Sequence, residues 1–228
     1  MSSDPAITTE RQGHVLQIGL NRPSKRNAFS VAMYEDLGRA YALLDRDDDL
    51  RCGLLFAHGD HFTGGIDLAE FASTFATGQL PVPSDGLDPV GIVGSRVSKP
   101  IVVAVQGTCL TIGIELMLAA DIRVAAADTR FGQIEVQRGI YPVGGATLRF
   151  ARECGWGNAM RWLLTGDAFD AAEALRIGLV QEVVPSGQSL QRAMAIAQGI
   201  AEQAPLGVRA TLRSARLEVR EGEASAAE

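Results

Sequence analysis

The chain has 228 residues, 46% of them hydrophobic and 21% charged, with a formal net charge of −6. That length suits one domain with a sizeable core, and the acidic balance excludes a basic nucleic-acid-binding surface. The three cysteines, Cys52, Cys109 and Cys154, are widely spaced and lack a CxxC pair. They suit buried thiols in a reducing compartment better than a disulfide framework.

The N-terminal MSSDPAITTERQ is polar and has no apolar secretory core. No apolar run reaches membrane-spanning length, so the expected setting is cytoplasmic, with no membrane partner. Residues 14–20 alternate loosely and end at Asn21-Arg22-Pro23, which predicts a strand and a turn. After the polar, basic SKRNAFS, Ser30 is placed to cap a helix over residues 31–44. Its apolar positions Val31, Met33, Tyr34, Leu37, Ala40, Tyr41 and Leu44 follow a 3.6-residue period. The acidic run at 45–49 lacks the alternating ligands and glycine of a calcium loop and reads as solvated.

A strand is predicted over 52–57, running into HGDHFTGGIDLAEF. The loop closes on Gly64-Gly65, and a helix is predicted to open near Asp67. Glycines ahead of a helix let backbone N–H groups face a cavity, where they bind an anion or a developing oxyanion; Gly-Gly is also simply a turn. His58, Asp60 and His61 lack a further ligand cluster and read as a polar turn rather than a metal site. The stretch TGQLPVPSDGLDP, at 77–89, reads as a mobile surface loop.

The centre of the chain, KPIVVAVQGTCLTIGIELMLAADIRVAAADTRFG, begins with a β-branched run at 101–105 that is too short for a typical helix and reads as a buried strand. Gln106-Gly107 marks a turn, residues 112–120 carry helical spacing, and a new strand opens at Ile122. Glu115 therefore falls in the first turn of an apolar helix, near its free N–H groups and positive dipole end. Glu135 stands 20 residues later, at the end of the strand-like FGQIEV and before the Gly- and Pro-rich RGIYPVGGAT. Two carboxyls on mostly apolar elements are raw material for a general acid–base pair; each also reads as an ordinary capping or solvated group. Further short helices are predicted at 145–152, 158–164, 170–176 and 190–201, with a strand at 178–184 and another helix opening at Pro205. The tail EGEASAAE is expected to fray. Strands alternating with helices indicate an α/β class.

Five segments in order resemble the crotonase superfamily, the enoyl-CoA hydratase/isomerase family. They are LNRPSKRNAFS; HFTGGIDL, similar to a Phe-x-x-Gly-x-Asp-Leu motif; KPIVVAVQG with GIELMLAADIRVAA; FGQIEVQRGIYPVGGAT; and LLTGDAFDAAEALRIGLVQEVVP. The resemblance implies an α/β, crotonase-like spiral of repeated ββα units with C-terminal helices. It divides the chain into a core at 1–185 and a helical trimerisation segment at 186–228, a point past which family members generally continue. It also implies homotrimers or hexamers and acyl-CoA thioester substrates, with coenzyme A entering as part of the substrate and no separate cofactor or metal.

By the same resemblance, Glu115 and Glu135 match the two acids of hydratases, whereas isomerases commonly keep one. The N–H groups of Ile66 and Ile112 would form the oxyanion hole, and Lys25, Arg26, Ala28, Ile66, Asp67 and Leu68 would hold CoA. The implied reaction is addition of water across a 2-enoyl thioester. The alternatives are isomerase, decarboxylase or hydrolase chemistry on another acyl-CoA, or a non-catalytic CoA-binding subunit. A serine hydrolase is disfavoured by the lack of GxSxG, and a P-loop enzyme by the lack of GxxxxGK[ST]. Two positions depart from the family pattern: Leu110-Thr111-Ile112-Gly113 replaces a Gly-rich turn, and Ile134 replaces a proline. Arg138, three residues beyond Glu135, is placed to approach it and lower its pKa or to pair elsewhere.

Overall fold

The computed structural model describes residues 4–221. A six-stranded sheet forms the frame. Its strands are β1 (Ile7–Gln12), β2 (Val15–Leu20), β3 (Cys52–Ala57), β4 (Ile101–Val105), β6 (Ile122–Ala126) and β9 (Glu182–Val184), in the order β1-β2-β3-β4-β6-β9. Only the β1–β2 pair is antiparallel. A second sheet pairs β5 (Thr108–Leu110) in parallel with β7 (Arg130–Gly132), which pairs antiparallel with β8 (Phe169–Asp170).

The central strands are buried on both faces, which explains their unbroken apolar sequence. Along β4, Val103 and Val105 join one core while Val102 and Ala104 join the other, as the two-residue period of a strand requires. The first core takes in α1 (Val31–Arg46), whose start is capped by Ser30: its Oγ accepts from Met33 N at 3.1 Å. Met33, Leu37 and Leu44 on this helix are fully buried, worth about 1.5–3 kcal/mol each. The second core is closed by α7 (Ser189–Ala201), whose Ala193, Ala197 and Ala201 repeat every fourth residue against Val15, Leu54, Val102 and Val124. The remaining helices are α2 (Ala72–Thr77), α3 (Ile112–Ala119), α4 (Ala146–Cys154), α5 (Trp156–Thr165), α6 (Ala171–Arg176) and α8 (Pro205–Glu221). None is long and apolar enough to cross a membrane.

Several elements differ from expectation. No helix opens at Asp67: Phe29 and Ile66 form a β-bridge, Asp67 N donates to Phe29 O, and residues 68–71 form a turn in which Phe71 N donates to Asp67 O, so α2 starts only at Ala72. The strand before Glu135 stops at Gly132, and Glu135 opens a 3-10 turn, Glu135–Arg138. The strand expected at 178–184 shrinks to β9, and β1 lies in a polar stretch for which no element was predicted. The 77–89 loop has a fixed end: Leu87 N donates to Gly38 O, and Asp88 is buried. The fraying tail, apart from Glu221, lies outside the described residues.

Candidate active site

The site begins with the three-residue ladder between β5 and β7. Leu110 pairs with Gly132, and Thr111 N donates to Gly132 O at 2.9 Å. The Gly64-Gly65 loop lies along the other edge of β5, through a Thr63–Cys109 bridge. Gly65 has φ +108°, and a Cβ there would stand 2.7 Å from Thr111 Oγ1, so only glycine fits. Three segments of distant sequence thus reach one cleft of about 190 Å³, lined by Gly65, Ile66, Thr111, Ile134, Glu135 and Arg138, among others.

Glu115 leaves the first turn of α3, is 2% exposed, and directs its carboxyl at the start of α4. Its Oε1 accepts from Gly144 N at 2.7 Å and from Ala146 N at 3.4 Å. Burial, and then the nearby carboxylate of Glu135, raise its pKa to about 7, against the lowering effect of those N–H groups and of Arg149. Glu135 is 6% exposed and its Oε1 accepts from Gln133 Nε2 at 2.8 Å, while its Oε2 has no partner. Burial raises its pKa to about 7 as well. Both carboxyls are thus poised to change protonation near neutrality, where one can accept a proton and another donate one.

The N–H groups of Ile66 and Ile112 have no acceptor among the described residues. Ile112 is the first residue of α3, where N–H groups are free by helix geometry, and Ile66 lines the cleft. Thr111 before it sits at φ 49° and ψ −110°, a region disfavoured for a β-branched residue, and its buried Oγ1 has no partner.

Lys25, Arg26 and Ala28 lie beside Ile66, Asp67 and Leu68: Gly64 N donates to Arg26 O, and Phe29 N to Gly65 O. Lys25, Arg26 and Leu68 are exposed, forming a rim with two cations next to the cleft. Arg138 is exposed and makes no ion pair with Glu135, so it has no part in that carboxyl's shift. His58 and His61 are engaged in the turn, His58 with Thr8 Oγ1 and His61 accepting from Thr108 N. Sequence reasoning missed Gln133, Gly144, Ala146 and Arg149; the paired glycines of PVGGAT were the available signal for Gly144. A larger cavity, about 350 Å³, opens at the far end of α3 among Arg96, Asp121, Arg123 and Arg216. Its acids are held in ion pairs, Asp121 with Arg216 and Glu153 with Arg123, whereas the smaller cleft is lined by Glu135, with Glu115 not among its lining residues.

Residues 10–227 match the family model described as enoyl-CoA hydratase/isomerase. The chain is 37% identical over 222 residues to enoyl-CoA hydratase EchA19 of Mycobacterium tuberculosis, covering 95% of this chain and 82% of that protein. It is 31% identical to the 2,3-dehydroadipyl-CoA hydratase of Escherichia coli, covering 92% and 81%. Among solved structures, a probable enoyl-CoA hydratase/isomerase from Mycobacterium abscessus superposes with a TM-score of 0.94 at 55% identity, covering 97% of this chain and 85% of that one.

Proposed function

The chain belongs to the enoyl-CoA hydratase/isomerase family, and on that premise we propose that it adds water across the 2,3-double bond of a 2-enoyl-CoA. The observation that carries this reading is the pair of buried carboxyls, Glu115 and Glu135, both raised to about 7. Ionised Glu115 takes a proton from water as the water oxygen bonds to C3, and the π electrons pass to the thioester oxygen. Protonated Glu135 then delivers its proton to C2, and exchange with solvent resets the pair. The free N–H groups of Ile66 and Ile112 suit an oxyanion hole for the thioester oxygen; loss of one such donor costs about 3 kcal/mol in other enzymes.

In this reading Lys25, Arg26, Ala28, Ile66, Asp67 and Leu68 hold the CoA portion, whose phosphates meet the exposed Lys25 and Arg26. Coenzyme A enters with the substrate, and no resident cofactor or metal has a role. The protein works in the cytoplasm as a homotrimer or hexamer, with 186–228 as the trimerisation segment. Large exposed apolar side chains, such as Tyr141, Leu148, Trp156 and Leu164, supply surface for self-association.

The test is loss of the conjugated enoyl-thioester absorbance with crotonyl-CoA, for wild type, Glu115→Gln and Glu135→Gln. Activity in wild type and losses of orders of magnitude in both folded variants support hydration. A wild type that binds CoA thioesters but leaves crotonyl-CoA unchanged overturns it.

A further inference from the structure

Two buried charged residues serve no role in the chemistry above. Asp88 is 2% exposed and Arg149 6% exposed. The Asp88 charge favours the Arg149 cation, and both grip the same short segment, at 88–93, from opposite polarities. The Asp88 carboxylate accepts from Val90 N at 3.1 Å, Ile92 N at 2.7 Å and Val93 N at 2.8 Å, and from the Tyr34 hydroxyl at 2.5 Å. The Arg149 guanidinium donates to Val90 O at 2.6 Å and to Gly91 O at 2.9 Å. Burying charge is expensive unless it is fully hydrogen-bonded, so this expenditure on one loop indicates that the loop's position matters.

Arg149 also belongs to the element that holds Glu115. It stands one turn along α4 from Ala146, and a Cβ on Gly145 would stand 2.8 Å from its Nη1 and 2.8 Å from Ile92 Cδ1. The Gly144–Ala146 turn is therefore pressed between the guanidinium, the 88–93 segment and the carboxyl of Glu115. We propose that Asp88 and Arg149 are positioning residues: they clamp the 88–93 segment onto α4 and thereby fix the N–H groups of Gly144 and Ala146 that hold Glu115 in one orientation. The proposal deepens the hydratase reading and rests on it for its kinetic consequences.

The charged and titratable groups facing Glu115 come from three elements. Glu135 on its 3-10 turn opposes its ionisation, and Arg149 on α4 favours it. Tyr34 on α1 is held neutral, since burial and Asp88 push its hydroxyl far above the usual range. Removing the Arg149 charge therefore moves Glu115 ionisation to higher pH. Removing the Asp88 charge acts on Glu115 only through the segment: the loosened Gly144 and Ala146 N–H groups favour its ionised form less, so its titration also moves up, by less.

The experiment uses the full chain with Arg149→Lys, Arg149→Gln and Asp88→Asn. It measures crotonyl-CoA hydration against pH, and 13C-NMR titration of the carboxyls, with Glu115 identified by its loss in Glu115→Gln. Arg149→Lys keeps the charge but not the two-carbonyl grip, so kcat falls about tenfold and the Glu115 titration moves slightly upward as the Gly144 and Ala146 N–H groups loosen. Arg149→Gln lowers kcat about a hundredfold, KM changing much less, and shifts the Glu115 titration upward. Asp88→Asn lowers kcat at least about tenfold and moves the Glu115 titration slightly upward, opposite to the direct effect of removing a negative charge. Folded Arg149→Gln with wild-type kcat and titration overturns the proposal, as do losses that merely follow thermal stability while the titration stays put. If Arg149→Gln does not fold, Arg149→Lys and Asp88→Asn decide on kcat. If wild type does not hydrate enoyl-CoA, the functional reading fails, and the Glu115 titration in wild type, Arg149→Lys and Asp88→Asn still decides the clamp: an unmoved titration in both folded variants overturns it.

Discussion

Gly144 and Glu115 are in direct contact: the glycine N–H donates to Oε1 at 2.7 Å, and a Cβ on Gly144 would stand 2.7 Å from the carboxyl carbon. Gly144 has no positive φ, so its lack of a side chain serves the neighbour and not its own backbone. Gly144→Ala is expected to fold normally and to lose about a hundredfold or more in kcat, because the methyl displaces Glu115. Steady-state hydration kinetics alongside a thermal melt check this; unchanged kcat refutes it.

The raised carboxyl pKa values make a stability prediction of definite sign. A carboxyl at 4.5 when unfolded and about 7 when folded leaves the folded state holding the extra proton between those values. Stability is therefore full below about pH 4.5 and falls as pH rises through about 7, by roughly 3 kcal/mol for one such group. Glu115→Gln removes the titration. Its Tm is expected near wild type at pH 5 and several degrees above it at pH 8, as measured by calorimetry across that range. A constant difference at both pH values counts against the raised pKa.

Thr111 combines a φ of 49° with a buried hydroxyl that has no partner. Thr111→Gly relieves about 1–3 kcal/mol of backbone strain and removes the stranded hydroxyl, against about 1 kcal/mol for the added freedom of glycine when unfolded. The variant is expected to melt a few degrees higher than wild type. A lower Tm shows that the surrounding packing, not the torsion, dominates there.

The thiols are predicted to be inert in the native state. Burial pushes Cys52 up to about 12, Cys154 up to about 11 and Cys109 well above its ordinary value. A thiol-reactive chromogenic disulfide is expected to label none of them rapidly at pH 8, and all three once guanidinium unfolds the chain. Rapid labelling of one native thiol singles out a cysteine that opens locally.

What was legible in the sequence follows from the range of the forces involved. Ser30 and the helix after it were readable because a cap and a 3.6-residue stripe are local. So were β4, α3 and the place of Glu115 in its first turn, since a buried strand and a buried helix differ sharply in length. β1 was not readable: it is an edge strand whose Thr9, Glu10, Arg11 and Gln12 face outward and leave no apolar pattern. β5, β7 and β8 are too short to show a period. α2 was misplaced because the Phe29–Ile66 bridge, a pairing across 37 positions, overrides the local helix signal. Asp88 and Arg149 looked like any surface charges, as their burial depends on a segment 56 to 61 residues away from Arg149.

The ladder between β5 and β7 has a mechanical consequence. Glu115 departs from the end of one of these strands and Glu135 from the end of the other, with Leu110 and Gly132 hydrogen-bonded neighbours at the point of departure. The two acids therefore share a single mount that is separate from the six-stranded sheet. The Glu115 carboxyl is also held from a third element, through Gly144 N and Ala146 N at the start of α4, whereas Glu135 is held by its near neighbour Gln133. The ladder thus sets where the two side chains begin, and α4 sets where one of them ends.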